Sequence, residues 1–385
     1  MTEFNRHKRV FGILRPFVTL FMKYKFNYRY DDLSEVEGPY LLLANHNLEL
    51  DPLAVGAAVK DHIYFVASEH IMRKGIGTKL LMRYVHPIIH LKGRQGMKTV
   101  KEMMKTLKAG QNVCIFPEGN RSFNGVTCDM QASIAKVAKR SGAKLVTYRI
   151  EGGYLSQPRW STTLRRGKLN GRLIHVYDQE ELAGLTDAQL NEAICKDLYE
   201  DAYATQKREK IAFRGKNLAV GMESTIFMCP DCHKIGTMSS ENDRFYCREC
   251  GFDAIYDVYG ELTDQKGNKY TLTQLDKMQH EKLAQYVQGV SEKEPIFSDA
   301  VKCYQIDKNH AVTGVTEGKL AAYHDGLECC GQKIPYENVE GVSIYSRNAM
   351  ILHVKGESGH MELKSDLSFN ALKYLYLYNM KEKEK

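Results

Sequence analysis

The chain lacks any uninterrupted apolar run of the roughly 20 residues that a helix needs to cross a bilayer. The N-terminal stretch is interrupted by Arg15-Pro16 and by Lys23, and it has no signal-peptide cleavage pattern. The sequence therefore predicts no transmembrane span, and nothing in it indicates secretion. At 385 residues the chain is long enough for more than one domain.

Acidic residues are scarce in two stretches of the chain. Residues 1–30 contain seven Lys or Arg and a single acid, Glu3, and residues 70–101 contain eight Lys or Arg and no acid. Large apolar side chains lie between the basic ones in both stretches. This pattern is typical of helices in the headgroup region of an anionic leaflet, where each basic side chain contributes up to about 1 kcal/mol. We predict a basic amphipathic membrane-surface segment over residues 1–30; the alternative is a helix packed on its own domain.

A histidine and an aspartate follow the first predicted strand, in the block Asn45-His46-Asn47-Leu48-Glu49-Leu50-Asp51. The apolar run 40–44 predicts a buried strand, and Asp51-Pro52 predicts the start of a helix to about Lys60. We expect His46 in the turn between them, where an imidazole with an ordinary pKa of about 6.5 accepts a proton near neutral pH. A carboxylate on its other nitrogen would fix the tautomer. Asp before Pro is also a common way to cap a helix, so both roles of Asp51 stay open.

A second polar block, Phe116-Pro117-Glu118-Gly119-Asn120-Arg121-Ser122, follows another predicted strand over residues 112–116. The turn is expected outside the carboxyl end of its strand, which is where α/β proteins bind ligands. Arg121 offers a planar fork of donors that matches a phosphate. The alternative is an ion pair between Arg121 and Glu118 that only holds a loop in place.

Together the two blocks resemble the glycerolipid, or lysophospholipid, acyltransferase family. Its signatures are a His and an Asp separated by four residues and a Phe-Pro-Glu-Gly-x-Arg-Ser block. The stretch 87–94 resembles the intermediate block of the family, an apolar strand followed by a Gly and an Arg. The resemblance covers roughly residues 35–205 and implies a catalytic pair, His46 and Asp51, and a substrate-binding group, Arg94, Glu118, Gly119 and Arg121.

The sequence departs from the family pattern at two places. The last family block usually carries a proline, which the matching stretch 144–150 lacks, and Leu48 stands where many members have a serine. Neither departure touches the His/Asp or the Glu/Arg groups. Both leave the acceptor headgroup open.

Four cysteines are spaced as in a zinc ribbon. Cys229 and Cys232 form one CxxC pair, and Cys247 and Cys250 form a second after 14 intervening residues. Four thiolates in two such pairs suit tetrahedral Zn²⁺, which in a closed site is structural. Disulfides and a redox pair are the alternatives. The segment 225–259 has three basic and six acidic residues, and this net acidic charge disfavours binding to a nucleic-acid backbone.

The C-terminal part predicts a β-rich domain. Short alternating runs at 319–324, 340–345, 350–355 and 359–363 are separated by turn residues, and a helix capped by Ser368 is expected over residues 369–380. This resembles a pleckstrin-homology-like fold. An earlier helix is predicted from Thr186 to Lys207, opening with capping-box spacing.

The predicted fold class is α/β: an acyltransferase domain with a central sheet flanked by helices, then a small zinc ribbon and the β-rich domain. The predicted division is a membrane-surface segment at 1–30, the acyltransferase domain at 31–215, the ribbon at 225–260, a helical linker at 261–294 and the pleckstrin-homology-like domain at 295–385.

The predicted function is acyl transfer from a thioester, acyl-coenzyme A or acyl-carrier protein, to the hydroxyl of a lysophospholipid. The resemblance favours 1-acyl-glycerol-3-phosphate as acceptor and phospholipid biosynthesis as context. The expected partners are the anionic membrane surface, the lipid acceptor and the acyl donor, and the expected location is the cytoplasmic face of the membrane, peripheral or monotopic. The alternative function is a catalytically idle lipid-binding or regulatory scaffold.

Overall fold

The computed structural model describes residues 3–69, 76–90, 96–308, 310–366 and 369–384. The chain folds into two compact units. The first contains residues 1–159 and 164–215, and the second contains residues 160–163 and 216–385. Each unit has its own sheets and its own buried core.

The first unit is built on a seven-stranded sheet in the order β1-β7-β6-β2-β5-β3-β4. Its strands are β1 (Arg29–Tyr30), β2 (Tyr40–Ala44), β3 (Ile63–Ser68), β4 (Ile88–His90), β5 (Asn112–Ile115), β6 (Lys144–Glu151) and β7 (Asn170–Tyr177). The central strand β2 is parallel to both of its neighbours, β5 and β6, whereas β7 is antiparallel to β6. The predicted mixed α/β fold with a central sheet is confirmed.

Helices cover both faces of this sheet. They are α1 (Glu3–Phe26), α2 (Asp51–Ala58), α3 (Ile76–Tyr84), α4 (Met97–Lys108), α5 (Ser133–Arg140), α6 (Gly153–Ser156), α7 (Gln179–Gly184), α8 (Asp187–Leu198) and α9 (Ala202–Glu209). In β2, Leu42 packs in a core cluster with residues of α1 and α2, and Leu41 in a second cluster with residues of α4, α5 and α8. Burial on both faces explains why β2 reads as a continuous apolar run.

The helix predicted from Thr186 to Lys207 is in fact two helices. Thr186 and Gln189 form the expected capping box at the start of α8. However, α8 ends at Leu198, and α9 begins at Ala202 with Asp201 as its N-cap. The break places residues 199–201 against the strand-like segment 125–127, through an isolated bridge between Val126 and Asp201. The helical sequence pattern did not reveal this break.

The second unit begins with a five-stranded antiparallel sheet in the order β12-β11-β10-β9-β8. Its strands are β8 (Met238–Glu241), β9 (Arg244–Cys247), β10 (Asp253–Tyr256), β11 (Leu262–Asp264) and β12 (Lys269–Tyr270), and helix α10 (Leu272–Gln288) follows. The segment 261–294, expected as a helical linker, therefore opens with two strands of the ribbon's own sheet. The cause is an apolar residue, Leu262, which pairs with Tyr256 of β10 and is fully buried.

A second seven-stranded sheet and a C-terminal helix complete this unit. The strands are β13 (Phe297–Ile306), β14 (Val312–Ala322), β15 (Gly326–Cys329), β16 (Gln332–Pro335), β17 (Val339–Tyr345), β18 (Ala349–Val354) and β19 (His360–Lys364). Helix α11 (Ala371–Lys383) is fixed to β13 because Lys373 and Tyr374 both contact the carboxylate of Asp299. The cap of α11 is Asn370, which accepts from the Lys373 N–H; Ser368 lies outside the described residues. The β-rich fold with a closing helix agrees with the expectation, although β13, β15 and β16 had not been predicted.

Helix α1 presents two different faces. Its side chains His7, Met22 and Phe26 are buried in the first unit. The opposite side carries the exposed apolar residues Ile13, Leu14, Phe17, Leu20, Phe21 and Tyr24. In the part of the chain that the structure describes, no helix combines the length and the apolar character needed to span a bilayer.

Candidate active site

The predicted base and carboxylate meet at the carboxyl end of β2. His46 Nδ1 lies 2.9 Å from Asp51 Oδ2, and the same oxygen accepts the backbone N–H groups of Asn47 at 2.7 Å and Leu48 at 2.8 Å. Asp51 is fully buried, whereas the His46 side chain is 23% exposed. The carboxylate therefore holds the whole turn and selects the tautomer with the proton on Nδ1. His46 Nε2 is left with its lone pair available to accept a proton.

Asp51 does not cap the helix that follows it. The N-cap of α2 is Leu50, which makes no side-chain capping bond, and Asp51 is the first helical residue. Pro52 occupies one of the first helical positions, where its missing N–H costs nothing. The alternative role left open by the sequence is thus excluded: the carboxylate reaches back to His46 instead of forward into α2.

The surroundings of His46 favour the neutral imidazole. Burial lowers the pKa of His46 below its ordinary 6.5, and the positive charges of Arg121 and Arg159 act in the same direction. The hydrogen bond and the charge of Asp51 oppose this shift. The ring also stacks on Phe116, with 4.6 Å between ring centroids, which fixes its plane. A neutral, oriented imidazole at pH 7 is the state that general-base chemistry needs.

The second block is joined to the first through the backbone of His46. Pro117, Glu118 and Gly119 form a tight turn in which the Gly119 N–H donates to the Phe116 carbonyl at 3.2 Å. The Ser122 N–H then donates to the His46 carbonyl at 2.9 Å. Neighbouring parallel strands β2 and β5 end side by side, so their turns meet at one edge of the sheet.

Glu118 holds the backbone of the site. Its two carboxylate oxygens accept the N–H groups of His46 and Cys128, each at 2.6 Å. Burial raises the pKa of Glu118 to about 8, although these two hydrogen bonds act against the shift. Gly119 follows with a φ of 65°, a conformation that favours glycine. Glu118 and Gly119 thus shape the loop that carries Arg121.

Two arginines lie near the imidazole. Arg121 was expected there, and its carbonyl accepts a hydrogen bond of 3.1 Å from the Arg159 guanidinium. Arg159 was not anticipated from the sequence; it stacks over the Phe123 ring at 4.4 Å and is 7% exposed. The predicted Arg94 lies outside the described residues. The site is therefore positively charged next to a neutral base, which suits an anionic substrate.

Two asparagines that the sequence reading passed over complete the turn. Asn45 clamps β2 to β6, because its side chain accepts the Ile150 N–H at 2.6 Å and donates to the Ile150 carbonyl at 2.9 Å. The Asn47 side chain donates to the carboxyl group of Glu200 in the break between α8 and α9. No local motif marks Glu200, since its partner is 153 residues away in sequence. Leu48, the position where the family often has serine, is fully buried in the core.

The four predicted cysteine ligands converge in the second unit. The Sγ atoms of Cys229 and Cys250 are 3.5 Å apart, and those of Cys232 and Cys247 are 3.9 Å apart. All four Sγ atoms lie within 4.8 Å of one another. Four thiols at these distances could hold one tetrahedral metal ion.

Comparisons with known proteins find similarity over part of the chain. Residues 25–151 match the family model described as Acyltransferase. Over 181 residues the chain is 25% identical to the 1-acyl-sn-glycerol-3-phosphate acyltransferase LPAT1, chloroplastic, of Arabidopsis thaliana, covering 46% of this chain and 50% of that protein. The chain thus spans about half the length of this curated relative. A solved structure, the 1-acyl-sn-glycerophosphate (LPA) acyltransferase PlsC from Thermotoga maritima, aligns with a TM-score of 0.44 at 20% identity over 50% of this chain and 78% of that one.

The titration of His46 tests this geometry without any assay of activity. We expect NMR of the labelled histidine rings to give His46 a pKa below 6.5. Asp51→Asn should lower that pKa further, because the carboxylate stabilises the imidazolium. His175, an exposed histidine 2.9 Å from Glu181, is the matched control, and its ring resonances should be unaltered by Asp51→Asn. A His46 pKa that is unchanged by Asp51→Asn would contradict the assignment.

Proposed function

We propose, from the acyltransferase-family domain at residues 25–151, that this chain is an O-acyltransferase acting on a lysophospholipid. The acyl donor is a thioester of coenzyme A or of an acyl-carrier protein, and the favoured acceptor is 1-acyl-glycerol-3-phosphate. The observation that carries the proposal is the oriented, neutral His46 with Asp51 on its Nδ1 and two arginines nearby. The similarity to the plant 1-acyl-sn-glycerol-3-phosphate acyltransferase supports the same acceptor.

The reaction needs one proton transfer in each direction. His46 Nε2 takes the proton of the acceptor hydroxyl as its oxygen attacks the thioester carbonyl carbon, and Asp51 stabilises the imidazolium that forms. When the tetrahedral intermediate collapses, the C–S bond breaks, and the thiolate takes the proton back from His46. The acceptor hydroxyl replaces the serine of a hydrolytic triad, so no covalent enzyme intermediate is required.

The charges of Arg121 and Arg159 favour a phosphate-bearing acceptor in this proposal. Two positive charges lower the pKa of His46, and a bound phosphate would offset them. Binding of the acceptor therefore makes His46 a stronger base at the moment it is needed. A planar guanidinium also matches two phosphate oxygens at once. Arg94 keeps its proposed role as a second phosphate ligand.

Attachment to an anionic membrane is proposed for the exposed side of α1. Phe17 is 70% exposed and Leu20 68%, and Tyr24, one further turn along, is 74% exposed. Basic residues flank this apolar surface on the same helix. Apolar insertion combined with attraction to anionic lipids is the usual binding mode of such helices. The acceptor and the acyl chain are lipids, so a membrane-bound enzyme would collect both.

A structural Zn²⁺ is proposed for the four cysteines. A tetrahedral ion with Zn–S bonds of about 2.3 Å separates its sulfurs by about 3.8 Å, and the two Sγ distances of 3.5 and 3.9 Å fit that value. The N–H of Glu249 also points to Cys247 Sγ at 3.4 Å, as expected for a thiolate in a CxxC turn. With four protein ligands the ion would have no open position, so it would supply folding energy and no catalysis.

The first test of the proposal is the loss of the base. His46→Ala should lower turnover of acyl thioester with a lysophospholipid by roughly 10²-fold or more. Asp51→Asn should also lower turnover, because it removes the charge that stabilises the imidazolium. His175→Ala, which removes another carboxylate-paired histidine of the same unit, should leave turnover unchanged.

Wild-type protein that consumes neither acyl-coenzyme A nor acyl-carrier thioester with any lysolipid would instead support the scaffold function. Equal activity of His46→Ala and wild type would refute the mechanism but leave open an enzyme with another base. A panel of lysolipids against both donors then identifies the headgroup and the donor.

Removal of the Arg121 guanidinium tests whether the acceptor carries a phosphate that this side chain binds. Arg121→Gln should raise KM for 1-acyl-glycerol-3-phosphate by roughly tenfold, the effect of one charge-assisted hydrogen bond of about 1.5 kcal/mol. KM for a monoacylglycerol without phosphate should change little. An equal rise for both acceptors would show that Arg121 supports the loop and does not bind phosphate. Arg149→Gln is the control, since this arginine of β6 bonds the Tyr199 carbonyl; KM for both acceptors should stay as in the wild type.

Membrane attachment is best tested with point variants, since deletion of residues 1–30 would also remove the buried Met22 and Phe26. At 1 M salt the Debye length falls to about 3 Å, which removes charge attraction and spares apolar insertion. We expect 1 M salt to release only part of the wild type from anionic vesicles. The double variant Phe17→Ser/Leu20→Ser should be released completely.

The matched control for this experiment is Val312→Ser/Val315→Ser. These valines are similarly exposed, at 51% and 53%, but lie in the second unit. Their variant should sediment like the wild type. If the α1 variant also sediments like the wild type, α1 is only a packed helix.

Metal analysis tests the zinc proposal. Protein purified without chelator should contain about one zinc per chain, and Cys232→Ser should lose it, with faster amide exchange in the β8–β9 hairpin. Cys195→Ser, at an exposed cysteine of the first unit, should keep the metal. Absence of zinc from the wild type, or a disulfide between any of the four cysteines, would refute the assignment.

A further inference from the structure

Glu200 is a buried acid in the break between α8 and α9. It is 3% exposed. Both backbone polar groups of Glu200 bond to Thr127. The Glu200 N–H donates to Thr127 Oγ1 at 2.8 Å, and the Glu200 carbonyl accepts the Thr127 N–H at 3.0 Å. The next residue along from Thr127 is Cys128, whose N–H is bound by Glu118. The backbone of Glu200 is therefore fixed against the loop that follows the Glu118 turn.

The side chain of Glu200 reaches the histidine turn. Its Oε1 accepts the Gly152 N–H at 3.0 Å, and its Oε2 accepts a hydrogen bond from the side-chain amide of Asn47. The Asn47 backbone N–H in turn donates to Asp51 Oδ2, the oxygen that binds His46. A continuous chain of contacts thus runs from Glu200 through Asn47 and Asp51 to His46.

The surroundings of Glu200 shift its titration. Burial raises the pKa of Glu200 to about 8, and the carboxyl groups of Glu151, Asp51 and Glu118 add to the shift, while the Gly152 N–H opposes it. The nearby Arg149 guanidinium is directed to the Tyr199 carbonyl and to Glu151.

The Asn47 amide is oriented by two buried acceptors. Its Nδ2 donates to the Glu200 carboxyl group and, at 3.4 Å, to the Ile150 carbonyl. Rotation of the amide by 180° would bring Oδ1 against the Ile150 carbonyl oxygen and break both bonds, which assigns the orientation of the side chain.

We propose that Glu200 is a positioning residue that fixes the side chain of Asn47 and thereby the hydrogen bond of Asp51 to His46. Only the expected effect on kcat rests on the proposed function; the structural role of Glu200 does not. Glu200 contacts neither substrate nor His46, and it lies outside both sequence blocks that mark the site. Its effect is on turnover and not on acceptor binding, because the arginines are held by other contacts.

The test compares Glu200→Ala with Glu200→Gln. The alanine variant should lower kcat by roughly tenfold to a hundredfold, the usual cost of a displaced catalytic group, with KM changed less than about twofold. The glutamine variant keeps one acceptor oxygen for either the Asn47 amide or the Gly152 N–H, so its kcat should lie between that of the alanine variant and that of the wild type. Glu209→Gln, at a partly exposed glutamate of α9 paired with Lys168, is the control and should behave as wild type.

Amide hydrogen exchange of Asn47 provides a readout that does not depend on activity. Glu200→Ala should speed exchange of the Asn47 backbone amide by at least about tenfold, while the amide of Leu42 in β2 stays protected. Unchanged Asn47 exchange in Glu200→Ala, or a glutamine variant as impaired as the alanine variant, would overturn the proposal. If the wild type transfers no acyl group, the proposed function fails, and the exchange measurement still decides the role of Glu200.

Discussion

The candidate site depends on one carboxylate oxygen. Asp51 Oδ2 is fully buried and accepts three hydrogen bonds, from His46 Nδ1 and from the backbone N–H groups of Asn47 and Leu48. A buried carboxylate without such donors is strongly destabilising, so the chain between β2 and α2 has to curl around it. That constraint sets both the path of the turn and the tautomer of His46. The same bonds explain why Asp51 opens α2 without capping it.

Three buried acids hold the candidate site together, and each binds a different part of it. Asp51 orients His46, Glu118 binds the His46 and Cys128 N–H groups, and Glu200 bonds to Asn47 and Gly152. Burial, together with the nearby carboxyl groups, raises the pKa of both glutamates to about 8. Arg121 and Arg159 supply positive charge next to the neutral base. The proposal of an anionic acceptor rests on this charge.

The second unit has its own architecture and its own sources of stability. The predicted cysteine pairs converge, and the ribbon's sheet extends to Tyr270, further than the cysteine spacing indicates. Strand β13 was missed because its outward-facing charges, such as Lys302, hide the buried alternation of Val301 and Cys303. Helix α11 is held to β13 through Asp299, which contacts Lys373 and Tyr374. Local signals thus predicted the β-rich character of this unit better than its number of strands.

The sequence by itself determined the features that depend on neighbouring residues. These include the buried strand β2, the His46 and Asp51 pair, the turn at Gly119, the capping box at Thr186 and the two CxxC pairs. Only the tertiary structure decided which distant groups meet there. Asn47 lies 153 residues from Glu200, and Arg159 comes to His46 from a loop beyond β6. The physical reason is that a helix or turn signal is written in a few adjacent side chains, whereas a hydrogen bond between remote segments exists only after the sheet has brought their ends together.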